Sequence, residues 1–478
     1  MDDAVIPLAD AFEPATRDQW LALVDKTIKG AALETLESRT RGGARVRPLY
    51  VAGGDVAPAA PGPGHADGLW DLRVEVRNPD PAAANAEALE ALAGGAASVL
   101  LRLDPTGADG VAVGSAEGLA RLLDGVMTDV APVALDAGFL GAKAADWLDA
   151  VVKASPAAPL QLNLDPLSAF AAAGTSPGPI EAHLIAAANV AARLAVTYPK
   201  ASLFLATGRT AHEAGAGEAE EVAMAAAAGV AYARALVRAG LPMADALGRI
   251  VLGVAVDGEY FASLAKVRAL RTVWRRIAES CGEPSAPARI EARSSRRMLT
   301  RADAWTNMIR LTAAGFAAAV GGADALVLGA FTDAIGLPTA FARRQARNAQ
   351  LILMEEAYLG RVADPGAGSW FVEALTDEIA TAAWSRFQAI EAAGGLAKAL
   401  EAGLVAEGVR AGRDDLAARI KAGELAVLGV TKFPNADDKP PAVEAATPKP
   451  VAAPDVRLPG PDSRCPALTP IRLEELAA

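Results

Sequence analysis

Ile250-Val251-Leu252-Gly253-Val254-Ala255-Val256 is an uninterrupted apolar run that passes through Asp257-Gly258-Glu259 into the long helical pattern Tyr260–Glu279. A short run with no polar alternation reads as a strand buried on both faces, which is the signature of a parallel sheet. The segment after it is long enough to cross back over that sheet and cover it. The same cycle recurs along the chain, with strand candidates at Leu72–Val76, Ser98–Leu103, Val133–Leu135, Leu160–Leu164, Ser202–Ala206, Ile250–Val256, Arg289–Ala292 and Ala325–Leu328. Between them lie helical patterns at Ala82–Leu92, Ala116–Val126, Ala144–Lys153, Glu181–Tyr198, Ala219–Ala239, Tyr260–Glu279 and Trp305–Val320. About eight βα units is the number that closes a barrel, so the reading is a (β/α)8 TIM barrel. A doubly wound open sheet would place a glycine-rich phosphate turn after its first strand; here that strand runs into Arg77-Asn78-Pro79-Asp80-Pro81.

Composition agrees with this class. Of 478 residues, 52% are hydrophobic and only 5% aromatic, so the apolar content is mostly Ala, Leu and Val, suited to helices packed closely on a sheet. A net charge of -11 with no Lys/Arg cluster argues against nucleic acid and anionic membranes as partners. The acidic opening MDDAVIPLADAFE resembles no secretory leader, and no apolar run free of charge and glycine reaches membrane-spanning length, so a soluble cytoplasmic protein is expected. Cys281 and Cys465 stand apart and outside any CxxC pattern, which points to two reduced thiols.

Three regions are expected. Residues 1–68 form an N-terminal arm and linker: Thr16-Arg17-Asp18-Gln19 has capping-box spacing, and Trp20, Leu23, Val24 and Ile28 mark one face of the short helix that follows. Gly42-Gly43 then divides a hairpin that ends near Leu49-Tyr50, and a Pro/Ala/Gly-rich loop runs from Val51 to Gly68. Residues 69–431 hold the barrel and its post-barrel helices, including Phe341–Leu359 with Arg343, Arg344 and Arg347. In residues 432–478, ten prolines from Pro434 to Pro470 predict an extended linker or belt. The arm and the tail are both candidates for contact with another protein surface.

The search for chemistry yields little. His65, His183 and His212 have no i, i+4 histidine partner, so a histidine zinc site is not expected; only His212 follows a barrel strand. Arg77, Asp104, Asp136, Asp165, Asp257 and Asp333 fall at C-terminal strand ends, where they either build a polar site or cap the helices that follow. Arg293-Ser294-Ser295-Arg296-Arg297 is either an anion receiver or a surface salt-bridge cluster. No GxSxG nucleophile elbow, GxxxxGK[ST] loop or strand-linked GxGxxG occurs; Gly174-Thr175-Ser176-Pro177-Gly178 fits GxSxG by letter but does not directly follow a strand candidate, so hydrolase, nucleotidase and dinucleotide readings have no support.

Thr300-Arg301-Ala302-Asp303-Ala304-Trp305-Thr306-Asn307, Gly321-Gly322-Ala323-Asp324-Ala325, Gly336-Leu337-Pro338-Thr339-Ala340-Phe341-Ala342-Arg343-Arg344-Gln345-Ala346-Arg347-Asn348 and Arg361-Val362-Ala363-Asp364-Pro365-Gly366-Ala367-Gly368-Ser369-Trp370 resemble segments of the methylmalonyl-CoA mutase family. Ser38-Arg39-Thr40, Pro48-Leu49-Tyr50, Glu213-Ala214-Gly215-Ala216 and Lys266-Val267-Arg268-Ala269-Leu270-Arg271 add to the resemblance. It implies a barrel that admits a CoA thioester along its axis. It also implies adenosylcobalamin, carried on a separate flavodoxin-like domain whose Asp-x-His-x-x-Gly histidine binds cobalt.

That motif is missing here, and four active-site positions of the family, at three different strands, depart. Arg209 and Thr210 stand where the catalytic chain has Tyr-His, Ala173 falls where its substrate-carboxylate arginine lies, and Glu75 falls at its radical-shielding tyrosine. The pattern resembles the small, non-catalytic subunit of the heterodimeric bacterial enzymes, although those subunits usually keep a degenerate cobalamin-like domain. The expectation is therefore a subunit with no catalytic, cofactor or metal residues of its own, bound to a catalytic large subunit that holds the adenosylcobalamin, with Trp20, Leu23, Val24 and Ile28 at the contact. A catalytic mutase barrel served by a separate cobalamin chain, and a stand-alone barrel lyase or isomerase, are the competing readings.

Overall fold

The computed structural model describes residues 13, 15–51, 69–152 and 158–477. Its centre is a closed barrel of eight parallel strands in sequence order: β3 (Asp71–Val76), β4 (Ser98–Arg102), β5 (Val133–Asp136), β6 (Gln161–Leu164), β7 (Ser202–Thr207), β8 (Ile250–Val256), β9 (Arg289–Ser294) and β10 (Ala325–Val327). Ala325 pairs with Asp71 on one side and with Glu291 on the other, which closes the ring. All eight expected strands are present, and the barrel reading holds.

Each strand sends apolar residues outward to the helical layer, as with Leu72, Val99, Leu101, Val133, Leu135, Leu203 and Leu252, all fully or nearly fully buried in one continuous core. Alanine lets the helices approach closely. Helix Glu218–Arg238 buries Ala223, Ala225, Ala226, Ala227 and Ala228, and its Gly229 faces Trp274 of helix Tyr260–Ser280 so closely that a Cβ there would lie 2.4 Å from the indole ring. Helix Trp370–Ala392 packs across both. Helix Ile180–Thr197 has the length and hydropathy of a membrane span, but its Ile180, Leu184, Ala187, Ala188, Ala191 and Leu194 join the barrel core.

Some boundaries move for local reasons. The helix expected to reach Val126 is Ala116–Leu122, because Asp124-Gly125 turns with Gly125 at φ +77°. Trp305 sits in a 3-10 turn before helix Asn307–Val320. The single helix expected over Phe341–Leu359 is an α-helix from Ala340 to Leu351 that relaxes into a π turn, Ile352–Glu356.

The arm forms helix Arg17–Ile28, and its capping box is complete: Gln19 N–H donates to Thr16 Oγ1, and Thr16 N–H donates to Gln19 Oε1. No residue of this helix is buried; Leu23 is 65% exposed, while Trp20, Val24 and Ile28 are partly covered. The hairpin expected around Gly42-Gly43 pairs β1 (Ser38–Arg39) with β2 (Arg45–Val46). The loop containing His65 lies outside the described residues.

The tail is extended, as its prolines require, and its hydrogen bonds run along its own barrel. Glu444 N–H donates to Leu337 O, Val451 to Pro105 O, Cys465 to Gly174 O, Leu468 to Ala171 O, Ile471 to Glu213 O and Leu473 to Arg297 O. Every one of those acceptors lies in a loop or helix end at the C-terminal rim of the same barrel. The tail is a belt over its own mouth.

Candidate functional site: a cross-braced barrel with a covered mouth

Strand alternation decides what fills the barrel. In Asp71-Leu72-Arg73-Val74-Glu75-Val76 the apolar residues point out, so the charged ones must point in. Inside, the fully buried Arg73 guanidinium donates to Ser98 Oγ at 2.9 Å and to Gln161 Oε1 at 2.7 Å, and pairs with Asp71 and Glu291. Glu291 also accepts from Arg293 Nε at 2.6 Å, and Arg293 Nη1 reaches Asp136 at 2.8 Å. One layer higher, Glu75 lies 3.4 Å from Arg296, 3.7 Å from Arg102 and 3.9 Å from Arg77, and Arg77 Nη2 donates to Asp333 at 2.6 Å. Burial alone would raise the Glu75 carboxyl, but the guanidiniums of Arg296, Arg102 and Arg77 outweigh it and hold the group down at about 2.

The axis is thus occupied by stacked ion pairs and a small apolar layer of Leu100, Ala134 and Val327. An axial path for a CoA thioester, which the resemblance implied, is filled by these side chains. The Arg293–Arg297 segment is not the surface cluster that was one reading of it, and its Arg296 also lines the cavity above the bracing. Arg293 and Arg296 brace the interior, and Arg297 donates to the His212 and Ala216 carbonyls at 2.9 Å.

Above this bracing, a cavity of about 690 Å³ remains at the C-terminal ends of β4 to β7. Its wall includes Asn163, Asp165, Thr207, Arg209, Thr210 and Glu213, and the belt covers it with Leu468, Pro470, Ile471 and Arg472. Most of the rim acids serve local structure. Asp104 accepts backbone N–H groups of Thr106, Ala108 and Asp109, while Asp257 accepts from Glu259 N and pairs with Arg41 at 3.2 Å. Asp165 caps helix Pro166–Ala173 through Ser168 N–H and accepts the Tyr232 phenol. Desolvation dominates there and pushes the Asp165 carboxyl up to about 7, against the lowering effect of those two donors.

The four positions read as degenerate separate in space. Arg209 and Thr210 line the cavity, Glu75 lies in the ion-pair layer, and Ala173 is exposed at the end of its helix, away from the cavity wall. His212, singled out as the histidine after a strand, is 2% exposed and turned into the barrel wall; its Nε2 meets Ser295 Oγ at 2.8 Å and its Nδ1 lies 3.0 Å from Glu221. Asn163 and the Glu221–Lys266 pair escaped the sequence reading. The only available signals were a polar residue inside an apolar strand and charges spaced along otherwise apolar helix faces.

A cobalt-ligating histidine must offer a free ring nitrogen. Of the two described histidines, His212 is engaged as above and His183 is 6% exposed with Nε2 at 3.0 Å from Pro177 O. Both rings are buried, so neither presents a nitrogen to a cobalt ion outside the barrel.

A closed parallel (β/α)8 barrel with a cross-braced axis and a covered mouth defines a small-molecule barrel scaffold from which a through-axis substrate path is missing. The family model for methylmalonyl-CoA mutase matches residues 66–456, and the chain belongs to that family. It is 39% identical to the methylmalonyl-CoA mutase small subunit of Streptomyces virginiae, over 92% of this chain and 74% of that protein. It is 40% identical to the probable methylmalonyl-CoA mutase small subunit of Mycobacterium tuberculosis (strain ATCC 25618 / H37Rv), over 84% of this chain and 66% of the relative. Against the small subunit from Propionibacterium freudenreichii subsp. shermanii the identity is 34%, covering 90% of this chain and 70% of that one.

Proposed function

We propose that this chain is the small, non-catalytic subunit of an adenosylcobalamin-dependent methylmalonyl-CoA mutase, which interconverts methylmalonyl-CoA and succinyl-CoA on a catalytic large subunit. The observation that carries this reading is the braced axis. With Arg73, Glu291 and Arg293 filling the barrel, an extended thioester has no path along it. Thr210 offers a hydroxyl where general acid chemistry would need an imidazole, and Ala173 offers no charge at all for a carboxylate. The role that remains is structural support of a cytoplasmic heterodimer whose partner holds the cobalamin.

The arm supplies a contact for that partner. Its helix is too short to be stable alone in water, yet none of its residues is buried against the barrel. Trp20, Leu23, Val24 and Ile28 therefore form an apolar face suited to the large subunit. The test is co-expression with a methylmalonyl-CoA mutase large subunit, followed by size-exclusion chromatography with mass determination. A one-to-one complex is expected, and two chains that elute separately at micromolar concentration would overturn the reading.

A further inference from the structure

The mouth cavity contains two polar groups that the fold itself leaves unused. Asn163 is 6% exposed, and neither its Nδ2 nor its Oδ1 has a hydrogen-bond partner. Its backbone sits at φ +45°, a left-handed conformation that glycine adopts freely and asparagine more readily than other side chains. Buried amides without partners are rare in folded proteins, and each costs free energy that a ligand would recover. The second group is Arg209, whose buried Nε is unpartnered and whose guanidinium makes no direct hydrogen bond or ion pair among the described residues, although Glu213, Asp136 and Glu291 act on it at longer range beside the like charge of Arg293. Every other guanidinium in the axial bracing is in direct contact with a carboxylate, so this one is an exception.

We propose that the covered mouth binds a small organic carboxylate that carries a second, uncharged polar group, with Arg209 receiving the carboxylate and Asn163 the polar group. A guanidinium fork matches a carboxylate, and a primary amide both donates and accepts, so it matches another amide or a hydroxyl. About 690 Å³ is within the range of small-molecule pockets, and the filled axis below it excludes a ligand with a long thioester arm. The acids around the cavity favour a monoanion: Asp136 is taken by Arg293, and Glu213 by the backbone N–H groups of Arg296 and Arg297. Leu468, Ile471 and Arg472 of the belt form the cover, so the ligand would also tie the tail to the barrel.

The inference is independent of the subunit reading, because it is tested on this chain without cobalamin or partner. Succinamate, a carboxylate with an amide, is titrated into the full chain by calorimetry, beside butyrate, which lacks the second polar group, and succinamide, which lacks the charge. Succinamate should bind saturably and at least tenfold more tightly than either control. Arg209→Met should abolish that binding with the melting temperature maintained or raised, and Asn163→Gly, which keeps the left-handed backbone, should reduce succinamate to the level of butyrate. If Arg209→Met fails to fold, Arg209→Lys decides: weakened but measurable binding supports the site, and unchanged binding overturns it. Equal, weak binding of all three probes, or binding unaffected by Arg209→Met, would overturn it as well.

Discussion

Lys266 Nζ lies 2.6 Å from Glu221 Oε2 inside the barrel wall, with 2% of the lysine side chain and none of the glutamate exposed. The pair joins helix Glu218–Arg238 to helix Tyr260–Ser280, and Glu221 also accepts Ala255 N–H from β8 and faces His212. A helix–helix–strand junction is thus fixed by one carboxylate. Burial alone would raise Glu221, but Lys266 and His212 more than offset it and hold the group at about 2.

Removing one member of such a pair leaves the other charged and unsolvated. Lys266→Met should cost about 3–5 kcal/mol of unfolding free energy, and Lys266→Met with Glu221→Gln should recover part of that loss. Because the folded carboxyl is depressed, its contribution is present above the ordinary carboxylate range and is lost as pH falls toward 2. Denaturant unfolding at pH 7 and at pH 3 checks both points: the gap between wild type and Glu221→Gln should shrink at the lower pH.

Asp165 titrates in the opposite sense. Its folded carboxyl lies near 7, so the stability it contributes is fully present below about 4, the unfolded value, and is lost as pH rises through 7. Asp165→Asn keeps the helix cap and the acceptor for Tyr232 but removes the charge. The variant should gain about 2–3 kcal/mol over wild type on going from pH 5 to pH 8, read from unfolding midpoints. A constant difference across that range would show that Asp165 does not titrate there.

Deletion of residues 1–30 removes the arm helix, none of whose residues is fully buried in the chain itself. The truncated chain should remain folded, with a melting temperature within a few degrees of wild type, while its affinity for the large subunit falls at least tenfold. Burying a tryptophan and three aliphatic side chains is worth several kcal/mol, enough for that loss. Unchanged affinity would make the arm only an intrachain brace.

Thr210→His places an imidazole at the cavity wall but leaves Ala173 exposed and uncharged and the axis filled. Catalytic groups that act as a unit do not contribute singly, so the variant should show no turnover of methylmalonyl-CoA, even with a separate cobalamin domain supplied. Product detected above the wild-type background by mass spectrometry would contradict this.

Most of the strands were legible because they are apolar on both faces, as in the run Ile250–Val256. The interior was not. Asp71, Arg73 and Glu75 alternate with Leu72, Val74 and Val76, which fixes opposite faces but leaves open which one meets water, and buried ion pairs reverse the usual assignment. Arg293 and Arg296 misled for the same reason. The prolines of the tail dictated an extended chain; only long-range hydrogen bonds, such as Ile471 N–H to Glu213 O, reveal what it lies on. The cavity groups Asn163 and Arg209 depend on what fails to meet them, and sequence does not display missing partners.

The most direct measurement is adenosylcobalamin binding and isomerase turnover by the purified full chain alone, and again after addition of the large subunit. No cobalamin spectral shift at micromolar chain and no succinyl-CoA formation are expected from the chain alone, with both appearing in the assembled complex. Micromolar cobalamin binding or any steady turnover by the isolated chain would contradict it.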